Sequence, residues 1–235
     1  MSDGGVLGSP DRRWNRHELL QVAPKFWENL LASQPAIAAV PYLTRWADHG
    51  WPVIVRRWTH EDLLPHMVPV GVPLPPLAGK QRISLLVPVE AVLARSPPPS
   101  LWSAKETADA SWRPTIEALL TLGERRGAAP TTFGSLLWQY KTGLPYLSPR
   151  SDLDVLWPIK RDSDISAMLA GIADTEKRAP MRIDGEILFP NGSAVNWREF
   201  HMALNQGGPA EILAKSMDGV RLVDIAQLLG GRNAA

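Results

Sequence analysis

The sequence contains no cysteine. This absence excludes disulfide bonds, thiolate metal sites, iron–sulfur clusters and cysteine nucleophiles. Long apolar runs are also absent, and uncharged stretches such as Ile83–Val89 are far shorter than the ~20 residues that cross a bilayer. The first dozen residues hold no apolar segment between a basic start and a cleavage site, so no secretory signal is visible. We therefore expect a cytoplasmic protein that does not bind a membrane.

An excess of charge of either sign is missing too. Twenty-five Lys and Arg residues stand against twenty-four Asp and Glu residues, a formal charge of +1. Proteins that bind duplex nucleic acid do so largely through basic surfaces that release counterions, so this balance disfavours nucleic acid as a partner. Hydrophobic residues make up 45% of the 235 residues, which is typical of globular proteins, and the length suits two small domains.

Prolines divide the chain. The segment Ser96–Ser100 holds three consecutive prolines, which fix φ and remove backbone donors, so it predicts a linker. We predict a flexible leader over residues 1–13, an N-terminal α/β lobe over 14–95, the linker over 96–100 and a second domain over 101–235.

Local patterns in the first half predict short elements. Ala36–His49 is typical of a helix, with Gly50 placed to terminate it. Pro65–Pro76 contains five prolines and predicts extended chain or a loop. Arg82–Val87 predicts a strand, and a short helix is expected to follow it up to Ala94.

Local patterns in the second half predict alternating helices and strands. Helices are expected at Gly134–Thr142 and at Ser163–Ala173, the latter with Ser163 as N-cap. A strand is expected at Asp152–Ile159. Two further strands, Met181–Phe189 and Ala194–Glu199, are joined through Asn191-Gly192, a strong hairpin signal. This order indicates an α+β or mixed α/β fold.

Two aspartates in the strand predicted at residues 152–159 are the first candidates for chemistry. Side chains alternate between the faces of a strand, so Asp152 and Asp154 project to the same side, about 6–7 Å apart along the chain. Paired carboxylates raise each other's pKa unless a cation lies between them. Oxygen ligands at this spacing suit Mg²⁺, although an exposed acidic strand face would give the same pattern.

A Gly-Ser turn lies before these aspartates. Gly134-Ser135 stands between a predicted strand and a predicted helix, where glycine lets the backbone approach a phosphate and the helix N-terminus presents free N–H groups. Together with the aspartates it predicts a site for a triphosphate and a metal ion. A third carboxylate is expected on a neighbouring strand, where Asp184 and Glu186 are alternative candidates on one face.

This combination resembles the nucleotidyltransferase superfamily, whose signature is a Gly-Ser turn, an Asp-x-Asp strand and a later acidic strand. Sixteen residues separate Ser135 from Asp152, more than that superfamily typically has. Within that interval, the segment Leu136–Leu147 is similar to the malonate decarboxylase holo-acyl-carrier-protein synthase family. Members of this family are also called phosphoribosyl-dephospho-CoA transferases. Further similarity to that family lies in Arg16–Leu20, Asp184–Glu186 and Asn196–Glu199, so the resemblance covers about residues 15 to 225.

The resemblance implies a C-terminal catalytic domain with a polymerase-β-like nucleotidyltransferase fold, a mixed sheet flanked by helices, within an α+β protein of two lobes. It implies transfer of a prosthetic group from 2′-(5″-triphosphoribosyl)-3′-dephospho-CoA to a serine of the apo acyl-carrier subunit of malonate decarboxylase, with release of pyrophosphate. Asp152 and Asp154 would then hold Mg²⁺ against the triphosphate, and Gly134 and Ser135 would cradle its phosphates. Asp184 would bind a second metal ion or accept the serine proton.

Several other residues are weaker candidates. Lys141 and Arg150 flank the site in sequence and could meet phosphate oxygens, although a solvated position is the commoner one for both residue types. Ser151 is a further candidate, and Glu186 is the reserve for Asp184. The N-terminal lobe is hypothesised to bind the carrier protein or the CoA portion of the donor.

Two other functions are compatible with the same residues. A different nucleotidyltransferase would move AMP from ATP to a hydroxyl of a protein or small molecule, using the same metal site. A non-catalytic nucleotide-binding module would have lost the reaction altogether. The choice of nucleotide distinguishes the first alternative, because ATP alone would suffice as its donor. The absence of Mg²⁺–triphosphate binding would favour the second.

Overall fold

The computed structural model of the chain describes residues 14–62, 64–79, 81–161, 163–205 and 211–230. The described residues up to Val72, together with Arg82–Ser96, form one compact unit. The segment Pro73–Gln81 and the described residues from Pro97 onward form a second unit. The predicted leader, residues 1–13, lies outside the described residues.

The first unit contains a five-stranded sheet with two helices. Its strands follow the order β4-β3-β2-β1-β5, and β1 pairs antiparallel with both β2 and β5. The elements are β1 (Leu19–Val22), α1 (Pro24–Ser33), α2 (Pro35–Ala38), β2 (Val53–Val55), β3 (Met67–Pro73), β4 (Arg82–Pro88) and β5 (Val92–Ser96). Tryptophan has a structural role here, because Trp27 and Trp46 are buried and donate their indole N–H groups to backbone carbonyls.

Two expectations for the first half were wrong. The predicted helix Ala36–His49 contains Pro41 and is reduced to α2 and a 3₁₀ turn at Leu43–Arg45, because proline cannot continue a helix. Of the two alternatives predicted for Pro65–Pro76, extended chain is confirmed over a loop, because the segment contains β3, which lies between β2 and β4. A proline in this strand still accepts a hydrogen bond through its carbonyl, as Pro69 does from Arg56 N at 3.0 Å.

The second wrong expectation concerns the end of the first half. In place of a helix up to Ala94, a 3₁₀ turn at Val89–Ala91 leads into β5. Pairing with β1, which is not local in the sequence, determines this strand.

The second unit contains a six-stranded mixed sheet in the order β6-β7-β8-β9-β10-β11. The strands are β6 (Thr131–Thr132), β7 (Leu153–Pro158), β8 (Ile183–Leu188), β9 (Ala194–Asn196), β10 (Glu211–Lys215) and β11 (Val220–Asp224). The helices are α3 (Leu101–Ala104), α4 (Arg113–Arg126), α5 (Gly134–Thr142), α6 (Ile165–Glu176), α7 (Trp197–Asn205) and α8 (Ile225–Gly230). Strands β7 and β8 are parallel, connected through α6.

The two faces of this sheet differ in character. Leu153, Val155 and Trp157 of β7 are buried in a hydrophobic core with residues of α4 and α6. The residues between them in sequence, including Asp154, point to the other face. The predicted α+β class is confirmed, and the sheet places the two predicted acidic strands next to each other.

Two local expectations for the second half were also wrong. The N-cap of α6 is Asp164 rather than Ser163, and its carboxylate accepts a hydrogen bond from Ala167 N at 3.0 Å. The predicted strand Ala194–Glu199 ends at Asn196, and α7 begins at Trp197. In the part of the chain that the structure describes, no helix combines the length and hydropathy needed to cross a membrane.

Candidate functional site

The turn between β6 and α5 lies against Asp154. Thr132 Oγ1 donates a hydrogen bond to the carbonyl oxygen of Asp154 at 2.9 Å, and Phe133 N donates to the same oxygen at 3.2 Å. Gly134 follows with φ of +62°, a conformation that strongly favours glycine. A Cβ at residue 134 would overlap Asp154 Oδ2, so the absence of a side chain there makes room for the carboxylate.

The first turn of α5 provides a surface suited to an anion. Its N-cap, Phe133, supplies no side-chain hydrogen bond, and the backbone N–H groups of a first helical turn have no intrahelical acceptor. Ser135 lies in this turn and is half-buried. The N-terminal end of a helix also carries a partial positive charge, which favours a phosphate. The predicted Gly-Ser turn therefore lies at a helix N-terminus, a local structure that suits an anion.

Asp154 and Asp184 are neighbours across the sheet. They are register partners on the parallel strands β7 and β8, which places their side chains on one face with the strands about 4.8 Å apart. Both residues are half-buried. Asp152 is also half-buried and lies just before β7, which begins at Leu153. The structure thus brings two of the three predicted carboxylates side by side, with the third at the entry to the strand.

Asp184 is held by two donors on one oxygen. Its Oδ1 accepts hydrogen bonds from Gly185 N at 2.8 Å and from Asn196 Nδ2 at 3.0 Å. Gly185 has φ of +146°, and a Cβ at this position would overlap the carbonyl oxygen of Val155 on β7. Glycine at residue 185 therefore permits the close pairing of β7 and β8 beside Asp184.

A second group of residues fixes the backbone just before Asp184. The carbonyl oxygen of Ile183 accepts hydrogen bonds from Trp197 Nε1 at 3.1 Å and from Arg198 Nη2 at 3.0 Å. Ile183 N donates to Glu176 Oε1 at 3.0 Å, and Arg198 forms a two-point ion pair with the Glu176 carboxylate. The Arg198 guanidinium holds the pKa of Glu176 below its ordinary value.

The Arg198 guanidinium interacts with Glu176 and also with the charges of Asp184 and Asp152. The pKa of Arg198 is raised, first by its hydrogen bonds to Glu176 and also by the negative charges of Asp184 and Asp152. Asp152 and Asp184 thus share one cation in their surroundings. Arg198 lies in the stretch Asn196–Glu199 on which the family resemblance partly rests. The sequence gave no sign of Glu176, which lies at the end of α6 and contacts β8 through its hydrogen bond from Ile183 N.

Glu186 differs from Asp184 in its surroundings. Its side chain is only 4% exposed, and its carboxylate lies 2.8 Å from the ammonium of Lys215 on β10. An ion pair of this kind offsets the cost of burying the carboxylate. Sequence reasoning missed Lys215, because the order of strands in the sheet, and not spacing along the chain, brings it to Glu186.

The remaining candidates lie at the edges of this region. Lys141 is at the far end of α5, about 10 Å along the helix from Gly134 at 1.5 Å per residue, and its ammonium lies over the ring of Tyr140. Arg150 is exposed. Ser151 Oγ accepts a hydrogen bond from Ser148 N at 2.9 Å, which stabilises the turn before β7.

A metal ion at this site would depend on ligands beyond the protein. Among the described residues, no group of three or more His, Asp or Glu side chains is arranged to hold a metal ion. Asp154 and Asp184 nevertheless offer two adjacent hard oxygen donors, and Mg²⁺ is usually held by one or two carboxylates together with substrate phosphates and water. The donor set therefore fits Mg²⁺ that arrives with a phosphate-bearing substrate.

Comparison with known proteins identifies the family. Residues 100–226 match the family model described as the phosphoribosyl-dephospho-CoA transferase MdcG C-terminal domain, and residues 15–98 match the corresponding N-terminal domain. A phosphoribosyl-dephospho-CoA transferase from Bradyrhizobium diazoefficiens is 42% identical over 224 residues, covering 94% of this chain and 95% of that protein. Transferases of the same name from Xanthomonas euvesicatoria and Xanthomonas axonopodis are each 36% identical, covering 84% of this chain and 90% of their own length.

The chain belongs to the phosphoribosyl-dephospho-CoA transferase family and is an enzyme, a transferase. The resemblance stated from its motifs is confirmed. No solved structure matches the chain.

Proposed function

We propose that this transferase moves the phosphoribosyl-dephospho-CoA group from 2′-(5″-triphosphoribosyl)-3′-dephospho-CoA to a serine of the apo acyl-carrier subunit of malonate decarboxylase. The name shared by its relatives supports the identity of the transferred group. The observation that carries the proposal in the chain itself is the position of Asp154 beside both Asp184 and Gly134. Two carboxylates next to free helix N–H groups suit a polyphosphate that binds together with a cation.

The proposed reaction is an in-line displacement at phosphorus. The serine Oγ attacks the α-phosphorus of the triphosphate, the new Oγ–P bond forms and the bond to the bridging oxygen of the β-phosphate breaks. Pyrophosphate leaves, and the carrier serine becomes a phosphodiester. Asp184 is proposed to accept the serine proton or to complete the metal site, since two hydrogen bonds on Oδ1 fix its carboxylate in one orientation.

Mg²⁺ is the proposed cofactor, with Asp152, Asp154 and Asp184 as its candidate ligands. When bound, it would neutralise negative charge on the departing pyrophosphate. Asp154 and Asp184 are the stronger pair because they are register partners, whereas Asp152 lies before the strand. Glu186 is a weaker ligand because Lys215 already occupies its carboxylate. Gly134 and Ser135 are proposed to bind the β- and γ-phosphates through backbone N–H groups.

The fold of the second unit is proposed to be polymerase-β-like. Its mixed sheet, with acidic residues on the parallel strands β7 and β8 and a Gly-Ser turn next to β7, supports this proposal. The first unit is proposed to bind the acyl-carrier protein or the CoA portion of the donor. Its match to a separate N-terminal domain model supports a role of its own in the family.

The decisive experiment measures the intact mass of the apo acyl-carrier subunit after incubation with the full chain, Mg²⁺ and triphosphoribosyl-dephospho-CoA. We expect a gain equal to one phosphoribosyl-dephospho-CoA group. Asp154→Asn is expected to slow the transfer on the order of 10²–10⁴-fold, the range over which positioned charged groups act. Asp174→Asn is the matched control, because that carboxylate is exposed on α6 and pairs with Lys177.

Two outcomes would contradict the proposal. A gain of AMP in a parallel reaction with ATP alone would identify a general nucleotidyltransferase. Near-normal transfer by Asp154→Asn in the presence of Mg²⁺ would remove Asp154 from the site.

A further inference from the structure

Asn196 connects the candidate site with the start of a helix. It is the last residue of β9, and α7 begins at the next residue, Trp197. We infer that Asn196 is a positioning residue, one that orients the Asp184 carboxylate for its metal ion or for the serine proton. This inference rests on the proposed function, because it assigns a partner to a carboxylate of that same site.

The orientation of the Asn196 amide follows from its acceptor side. Its Oδ1 accepts hydrogen bonds from Arg198 N at 3.0 Å and from Glu199 N at 3.2 Å, the free N–H groups of the first turn of α7. A carboxamide oxygen only accepts and a carboxamide nitrogen only donates. The helix N-terminus therefore requires Oδ1 on its side, and Nδ2 is left to face Asp184, which it meets at 3.0 Å.

The consequence for Asp184 is a fixed carboxylate. Two donors, Asn196 Nδ2 and Gly185 N, meet the same oxygen, Oδ1. Rotation of the carboxylate would break both hydrogen bonds, so Oδ2 is the oxygen that we assign to the metal ion or to the serine proton. Partners of this kind around a metal-binding carboxylate typically affect metal affinity or activity 10–100-fold.

A purely structural role for Asn196 makes a different prediction. As the N-cap of α7 it stabilises the helix, and serine and aspartate serve equally well as N-caps. Neither places an amide donor beside Asp184. Asn196→Ser therefore separates the two roles, since it keeps an acceptor for the helix and removes the donor to the carboxylate.

The experiment uses the full chain and measures its affinity for the Mn²⁺ complex of inorganic tripolyphosphate by isothermal titration calorimetry. Thermal unfolding is recorded for each variant. We expect Asn196→Ser to weaken Mn²⁺ binding by about 10-fold or more while its Tm stays close to that of wild type. Asn191→Ser is the matched control, because Asn191 Oδ1 accepts hydrogen bonds from Ser193 in the β8–β9 turn, away from Asp184.

Each outcome decides the inference. Wild-type Mn²⁺ affinity in a folded Asn196→Ser variant would overturn the role of Asn196 and leave the proposed function intact. If Asn196→Ser does not fold, the test uses Asn196→Asp, whose carboxylate caps the helix and cannot donate a hydrogen bond to Asp184. Wild-type Mn²⁺ affinity in Asn196→Asp would equally overturn the inference. Failure of the wild-type chain to bind Mn²⁺ with tripolyphosphate would overturn the proposed metal site together with the inference.

Discussion

Gly134 and Asp154 occupy adjoining space, such that a Cβ at residue 134 would overlap Asp154 Oδ2 and lie 2.6 Å from Asp154 Cγ. Glycine is required at residue 134 for two reasons. Its backbone has a positive φ, and the Asp154 carboxylate occupies the space that a Cβ would need. This contact joins the two motifs that the sequence analysis singled out, the Gly-Ser turn and the Asp-x-Asp strand. It also means that the turn proposed to bind phosphate and the carboxylate proposed to bind a metal ion cannot be altered independently.

Gly134→Ala is expected to displace the Asp154 carboxylate. Alanine with positive φ costs about 1–2 kcal/mol of stability, and its Cβ would displace the Asp154 carboxylate, which is proposed to act in the reaction. A misplacement of about 1 Å can lower a rate on the order of 10²-fold. We therefore expect the rate of group transfer to the carrier to fall by about this factor, measured by intact mass, while the protein remains folded.

Gly143→Ala is the control for backbone strain. Gly143 follows the same helix and has φ of +71°, but no atom lies within 4 Å of a Cβ at this position. The Gly143→Ala variant should lose a similar amount of stability and keep the wild-type rate of group transfer. Equal loss of activity in the two variants would show that strain in α5, and not the contact with Asp154, is responsible.

The choice between Asp184 and Glu186 as third carboxylate is also testable. Asp184→Asn should slow transfer on the order of 10²–10⁴-fold. Glu186→Gln should leave transfer close to the wild-type rate, because the Glu186 carboxylate is buried against Lys215. Transfer rates of both variants at saturating Mg²⁺ provide the measurement, and the reverse ranking would make Glu186 the site residue.

The Glu186–Lys215 pair should instead determine stability. Lys215→Met removes the ammonium from a buried carboxylate and should lower the free energy of unfolding by about 1–3 kcal/mol. The double variant Glu186→Gln/Lys215→Met removes the buried charge as well and should recover most of that loss. Denaturant unfolding of the two single variants and the double variant measures this coupling, and strictly additive losses would contradict it.

The sequence predicted the local structure around the candidate site better than it predicted the first unit. Helix α5 was predicted with its observed bounds, because Gly134 at its first position and Gly143 directly after it are strong local signals. The alternation of Asp154 with buried Val155 and Trp157 likewise predicts which side chains share a face. These features depend on residues close together in the chain.

The wrong predictions concern elements whose structure depends on residues that are distant in the sequence. Strand β5 forms where the end of a helix was predicted, because β1 supplies pairing partners from another part of the chain. The strand predicted at Ala194–Glu199 stops at Asn196 because the side chain of Asn196 caps α7, an event that a strand pattern does not reveal. Lys215 and Glu176 reach the site region only through the order of strands and the path of α6. Their roles could not be read from spacing.

The ion pair of Glu176 with Arg198 should make the stability of the second unit dependent on pH. Because Arg198 lowers the pKa of Glu176 below its ordinary value, the pair contributes stability above the ordinary pKa and loses it as pH falls through the lowered value. Glu176→Gln should therefore cost about 1.5–3 kcal/mol at neutral pH, the range for hydrogen bonds to charged groups, and progressively less in acid. Denaturant unfolding of wild type and variant at several pH values measures this difference.

Asp174→Asn is the control for this prediction, because it removes an exposed carboxylate from the same helix and should have little effect on stability. A difference between wild type and Glu176→Gln that stays constant as the pH falls below 4 would contradict the assignment of the lowered pKa to this ion pair.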